Sequence, residues 1–198
     1  MSDYEGLLTE WFGSKVGDHE RPSGHARWFR GDAAFDEELR SKFGDMPERA
    51  ERGELDAWVA TARGALALVI VLDQLPRNLY RGTARSFAFD SRARDVAKAA
   101  IGRGFDAAVD PVWRAFFYFP FEHSENMVEQ EISVDKIRAA AEGAKGPARE
   151  LLEDYMDYAI RHLRIIERFG RFPHRNALLG REMTREETAF LKEPGSSF

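Results

Sequence analysis

The sequence predicts an all-α protein. Three observations carry that expectation. Apolar residues recur at helical spacing over long segments, caps and glycines bracket those segments, and nowhere do apolar and polar residues alternate as they do in a half-buried strand. Antiparallel helices packed in pairs are the architecture expected of such a chain.

Taken in order, Ser2 and Glu5 form a capping box for a first helix that stops near Gly13, and Gly13 to Gly24 reads as a polar loop. Asp32 caps a helix whose apolar face is Phe35, Leu39 and Phe43 and whose end is Gly44. Leu55, Trp58, Val59, Ala62, Leu66, Val69 and Ile70 then form one stripe. From Ala65 to Leu72 the residues are apolar on nearly every face, which marks a central helix surrounded by others. Pro76 is expected to end or kink it. Residues 83–89 read as a loop with Phe87 and Phe89 turned inward, and Asp90 as the cap of a helix to about Gly102. Pro111 opens a segment that runs into Trp113, Phe116, Phe117, Tyr118, Phe119 and Phe121. Ser124 is expected to cap a short helix through Gln130, and Ser133 another ending near Gly143. Pro147 opens the longest helix, with a buried stripe of Leu151, Tyr155, Tyr158, His162, Ile165, Ile166 and Phe169. Thr184 and Glu187 make a final capping box.

Composition bounds the function. At 198 residues the chain is long enough for one domain with a substantial core, and residues 1–198 are expected to form a single helical domain. A hydrophobic share of 43% with 32% charged residues is that of a globular protein rather than a disordered one. A net charge of −5 gives no reason to expect a nucleic-acid surface. The chain has no Cys, which excludes disulfides, thiol catalysis, iron–sulfur clusters and Cys-ligated zinc, and which suits a cytoplasmic location. Met1 to Glu5 shows no basic segment leading into an apolar stretch, so no signal peptide is expected. The longest apolar run, Gly64 to Leu72, is less than half of the roughly 20 residues a membrane span needs.

The candidate site is written twice. Pro76-Arg77-Asn78 is followed by Gly82, and Pro173-His174-Arg175-Asn176 by Gly180, so in both copies a Pro precedes an Arg-Asn pair and a Gly stands four residues after the Asn. Each copy follows a long apolar-striped segment. Polar residues of such uncommon type at equivalent places imply a demand that a generic core does not make. Asp73 lies one step further along the central stripe, where a carboxylate is costly unless paired, and Arg77 is its partner if the helix runs on past Pro76. His162 sits inside the apolar stripe of the long helix. Phe119-Pro120-Phe121-Glu122-His123-Ser124-Glu125 sets a His and carboxylates directly after core aromatics. Arg171 and Arg175 lie past the end of the long helix among Phe169, Phe172 and Pro173, whereas Arg161, Arg164 and Arg168 fall on its solvated face. Glu125 and Glu129 share a helix face, but no Glu-x-x-His or His-x-x-x-His spacing accompanies them, and no metal or other cofactor is expected.

Asp73 to Asn78, Phe119 to Glu125 and Arg168 to Asn176 together resemble the motifs of a bacterial family catalogued as domain of unknown function 924. The likeness runs over nearly the whole chain. Leu75 stands where that family commonly has Phe, a conservative departure. The resemblance implies an all-helical fold similar to the tetratricopeptide-repeat-like superhelices and carries no activity with it. The legible 34-residue repeat of true tetratricopeptide arrays is missing here.

Two functional classes follow from the residues. In the first, the motifs meet in a pocket for a small anionic metabolite. Asp73, Arg77, Asn78, His162, Arg171, His174, Arg175 and Asn176 bind it, His123 is its acid or base, and Glu125 orients His123. In the second, the chain is a helical scaffold for a partner protein or a second copy of itself, and the motifs are a polar lock between core helices. No catalytic signature in the sequence selects an enzyme. Neither class involves nucleic acid or a membrane.

Overall fold

A computed structural model describes residues 3–13, 22, 25–29 and 31–196. Among the described residues the regular structure is helical. The predicted cap Ser2 and most of the Gly13–Gly24 loop lie outside them.

Helix α1 (Asp3–Phe12) and the single turn α2 (His25–Trp28) lead into α3 (Ala33–Phe43), whose N-terminal amides at Ala34 and Phe35 are accepted by the Asp32 side chain as predicted. The turn α4 (Met46–Glu51) follows. The stripe starting at Leu55 does not form one helix. Residues Asp56–Ala60 are a 3₁₀ turn, Val59 is exposed, and α5 (Ala62–Val69) starts only where the Thr61 hydroxyl accepts from the Gly64 amide at 3.1 Å. A Cβ at Gly64 would stand 2.2 Å from the Trp58 carbonyl oxygen, so the 3₁₀ turn can press on α5 only with glycine there.

Pro76 neither ends nor breaks the central helix. Residues Ile70–Gln74 are wound as a π-helix, in which the Leu75 amide reaches back to the Ile70 carbonyl, and α6 (Leu75–Leu79) continues beyond. The wider turn takes up the proline ring that would clash with the carbonyl four residues earlier. Ala65 to Leu72 are buried throughout, as a surrounded helix requires.

Residues Ala84–Phe87 form a 3₁₀ turn that leads to α7 (Asp90–Gly102). Asp90 does not cap α7 but is its first residue, and its carboxylate turns away toward α6. After α8 (Pro111–Ala115) and α9 (Phe119–Glu122) the chain enters α10 (Met127–Gly143). The cap of α10 is Asn126 rather than Ser124, with its side chain accepting from the amides of Val128 and Glu129. Ser133 does not interrupt α10, because its hydroxyl donates sideways to the Tyr118 carbonyl. Helix α11 (Gly146–Phe169) packs back along α10 and stops at Gly170. Its stripe is buried at Leu151, Tyr155, His162, Ile165 and Ile166, but Tyr158 is half exposed. Beyond the 3₁₀ turn Pro173–Arg175, the Thr184–Glu187 capping box opens α12 (Arg185–Phe190) as predicted.

The core is aromatic where α1, α2, α8 and α9 meet. Phe116 is fully buried, with the rings of Phe12, Trp28 and Phe119 at 4.9–5.1 Å and that of Trp11 at 6.2 Å. Both copies of the repeated motif end in a glycine of positive φ, 76° at Gly82 and 65° at Gly180, which fixes the chain reversal after each.

Candidate functional site

Four stretches distant in sequence supply the site. The π segment and α6 bring Asp73, Gln74 and Arg77. The start of α7 brings Asp90. The turn between α9 and α10 brings Glu122, His123 and Glu125, and is held in shape by Gln130, whose amide donates to the carbonyls of Glu122 and Ser124 at 2.5 and 2.6 Å. Helix α11 and the turn after it bring His162, His174 and Arg175.

The two arginines of the repeated motif converge on one carboxylate. Arg77 forks onto Asp90 with two hydrogen bonds of 3.1 Å, and Arg175 approaches the same Oδ2 at 3.6 Å. Arg77 also lies 3.3 Å from Asp73 Oδ1 and donates to the Asp73 carbonyl oxygen. The asparagines part. Asn78 donates to Asp36 on α3 at 2.7 Å, and Asn176 is buried with its amide 3.4 Å from the sulfur of Met183.

His123 is held by Asp73. Its Nδ1 lies 2.9 and 3.1 Å from the two carboxylate oxygens, and the Gln74 amide donates to the same group at 2.7 Å. Burial pushes Asp73 up, yet Arg77 and His123 outweigh it and hold the carboxyl well below the usual carboxylate range. The ionised carboxylate makes Nδ1 of His123 the donor and leaves the lone pair on Nε2. Burial and then Arg77 push His123 down, against Asp73, so the ring is neutral near pH 7.

Glu125 therefore does not orient His123. It takes two hydrogen bonds from Arg181, at 2.7 and 3.0 Å, and one from the Phe172 amide. Arg171 is drawn elsewhere, onto Glu187 with bonds of 2.6 and 2.9 Å, where it pins the start of α12. Glu129 pairs with Arg94 and Lys98 and shares nothing with Glu125.

Behind His123 sit two buried groups. His162 Nδ1 donates to the Tyr158 carbonyl at 2.9 Å and lies 3.1 Å from Glu122 Oε1. Glu122 Oε2 is buried without a hydrogen-bond partner. Burial, and then the charge on Asp73, push Glu122 up to about 8. Burial also drives His162 well below its ordinary value, helped by His123. One donor atom from each of Glu122, His123 and His162 falls within 4.8 Å of the others, the one group among the described residues with that spacing.

In front of His123 is a cavity of about 450 Å³, open to solvent and walled by Asp90, Ser91, Arg94, His123, Glu125 and Arg175, with Phe87 and Leu179 as its apolar part. Asp90 is matched by Arg77, and Glu125 by Arg181. Arg175 is not matched in this way. It is buried between the rings of Phe87 and Phe172, donates one hydrogen bond, to the His123 carbonyl at 3.0 Å, and its Nε makes none. Burial, and then Arg77, push its guanidinium down to about 10.

Of the residues expected from sequence, His123, Glu125 and Arg175 line the cavity; Asp73, Arg77 and His162 stand behind its wall; Asn78, Arg171 and Asn176 are committed elsewhere. Glu122 and Asp90 were not among them. Glu122 stood inside the quoted motif as one of the carboxylates after the core aromatics, but the site expected from sequence takes only His123 and Glu125 from it. Asp90 read as a helix cap, a role its residue type fills so often that the carboxylate drew no further notice.

His174 packs against Phe172, with ring centroids 5.7 Å apart. Burial, followed by Arg175, pushes it down to about 4. The folded protein thus binds a proton at this group less readily than the unfolded chain does. Its contribution to stability is complete above pH 6.5 and is lost as pH falls from 6.5 through 4, by up to about 1.4 kcal/mol per pH unit. Unfolding free energies measured across that window should decline for the wild type and decline less steeply for His174→Gln. Parallel curves would refute this account.

The chain matches, over residues 7–195, the family model described as a bacterial protein of unknown function (DUF924). It is similar to a solved structure of a protein of unknown function from Agrobacterium tumefaciens, with 39% identity, 96% of each chain covered and a TM-score of 0.79. Among curated proteins nothing matches the chain.

Proposed function

We propose, for a chain that belongs to the bacterial DUF924 family, that the cavity walled by His123 and Arg175 binds a small anionic metabolite. The observation that carries this reading is Arg175. A buried guanidinium that has five N–H donors, spends one on the protein, and faces a carboxylate already taken by Arg77 is a cation in want of an anion. Asp73 and Asp90 balance Arg77 and Arg175, and Glu125 balances Arg181, so what draws a carboxylate or phosphate into the cavity is the unused N–H donors of Arg175 rather than an excess of charge. His123, fixed through Nδ1 by Asp73, forms part of the wall, and Phe87 and Leu179 accept an apolar portion of the ligand.

A panel of carboxylates and phosphates screened by calorimetry should contain at least one ligand, and Arg175→Ala should bind it about 10–100-fold more weakly, the worth of a charge-assisted hydrogen bond. Equal binding by the variant would remove the proposal.

The first copy of the motif supports a structural reading instead. Arg77 is saturated by Asp73 and Asp90, and Asn78 by Asp36, so this copy locks α6 to α3 and α7. A tetratricopeptide-like scaffold for a partner protein or a second copy has the pairing of α10 with α11 in its favour. Against it, large exposed apolar residues among those described are scattered, with only Val128 and Ile132 as neighbours on one helix face. The proposal treats residues 1–198 as one unit in the cytoplasm, the compartment that a chain without Cys suits. Among the described residues no helix is long and apolar enough to cross a membrane.

A further inference from the structure

We infer that Glu122, His123 and His162 form a binding site for one divalent transition-metal ion of the zinc class. The three side chains come from two elements, the α9–α10 turn and the middle of α11, and the fold brings one donor atom of each within 4.8 Å of the others. Two imidazoles and one carboxylate are a donor set that suits zinc, cobalt or iron and is a poor one for calcium or magnesium, which take oxygen ligands.

Two features show that the cluster is prepared for an ion and is more than a chance meeting of polar groups. The first is the unsatisfied atom. Glu122 is more than nine-tenths buried, and its Oε2 has no hydrogen-bond partner, an arrangement that native interiors avoid. A cation at the centre of the cluster is the missing partner. The second is the outer sphere. Each imidazole has its Nδ1 proton held by an oxygen acceptor, Asp73 for His123 and the Tyr158 carbonyl for His162; Glu122 Oε1 lies 3.1 Å from that same His162 Nδ1, so the carboxylate must turn toward Nε2 to share an ion. This is how metal-binding histidines are fixed in tautomer and orientation, with the lone pair on Nε2. Asp73 also supplies a negative charge one residue beyond the first ligand, which favours a bound cation.

Zinc bonds of 2.0–2.2 Å in a tetrahedron set donors about 3.4 Å apart, so the cluster must contract by side-chain rotation when the ion enters. Three protein ligands leave one or more positions for water or a ligand, the pattern of catalytic rather than purely structural zinc. His123 is shared by the cluster and the cavity wall, so those positions lie next to the proposed anion pocket. The metal inference does not rest on the anion reading, since its evidence is the cluster alone.

The test uses untagged full-length protein stripped with a chelator. On titration with Zn²⁺ or Co²⁺, one equivalent should bind by calorimetry and remain by elemental analysis after gel filtration. Glu122→Gln and His162→Gln should each weaken binding at least tenfold, and the positioning variant Asp73→Asn about 10–100-fold, with unchanged circular dichroism. A variant that fails to fold leaves a readout that needs no variant: in a long-range ¹H–¹⁵N spectrum of the wild type, Zn²⁺ should shift the imidazole nitrogens of His123 and His162 together. The inference is overturned if the wild type takes up no stoichiometric metal, if both folded variants bind as the wild type does, or if those two imidazoles do not move.

Discussion

Replacing Arg77 by alanine should lower the unfolding free energy by about 3–5 kcal/mol, the cost of breaking a buried ion-pair network from one side. Arg77 stands between Asp73, which is fully buried, and Asp90, of which less than a tenth is exposed. Its removal leaves two carboxylates facing each other with Arg175 as the remaining cation, 3.6 Å from only one of them. Arg77→Lys should recover part of the loss but not all, because an ammonium cannot fork onto Asp90 and reach the Asp73 carbonyl at once. Arg175→Ala should cost clearly less than Arg77→Ala. It removes one hydrogen bond and the stacking on Phe87 and Phe172, and it also relieves the repulsion between the two guanidiniums. Urea denaturation of the three variants decides the matter. A loss below 1 kcal/mol for Arg77→Ala, or a larger loss for Arg175→Ala, would reverse the roles given to the two motif copies.

Phe116→Ala should cost a comparable 3–5 kcal/mol for a different reason, the transfer of a large ring out of the core together with the void it leaves. The void cannot readily close. The rings of Phe12, Trp28 and Phe119 meet Phe116 from three elements, and Trp28 is further tied to α1 by a 2.8 Å hydrogen bond from its indole N–H to the Trp11 carbonyl. The near-ultraviolet circular dichroism of the packed tryptophans should weaken in the same variant. If the loss is below 1.5 kcal/mol and the spectrum is unchanged, the cluster is looser than its ring distances imply.

The helices were legible because burial imposes a 3.6-residue period, and the stripe from Leu151 to Ile166 shows it directly. Local chemistry could mislead wherever two residues compete for one task. Ser124 and Asn126 both suit a cap; Asn126 accepts from the Val128 and Glu129 amides, while the Ser124 hydroxyl accepts from the Asn126 amide. The repeated Arg-Asn motif pointed to a place, and its arginines do meet. Their meeting point, Asp90, was hidden because it lies outside both copies. The Asp73–His123 contact joins residues 50 positions apart, and no local spacing rule reaches that far. His162 was visible as an anomaly on an apolar face. Its counterpart Glu122 directly follows Phe121, and its meeting with His162, 40 positions away, leaves no local trace in the sequence.

The π-wound stretch Ile70–Gln74 gives the site a dependence on length as well as on residue type. A turn that holds one residue more than an α-helical turn sets everything after it back by about 100° around the helix axis. Deleting a single residue there would let the segment wind as a regular α-helix. It would also swing Arg77 and Asn78 off Asp90 and Asp36. The carboxylate network therefore depends on the number of residues in this turn as well as on their identity.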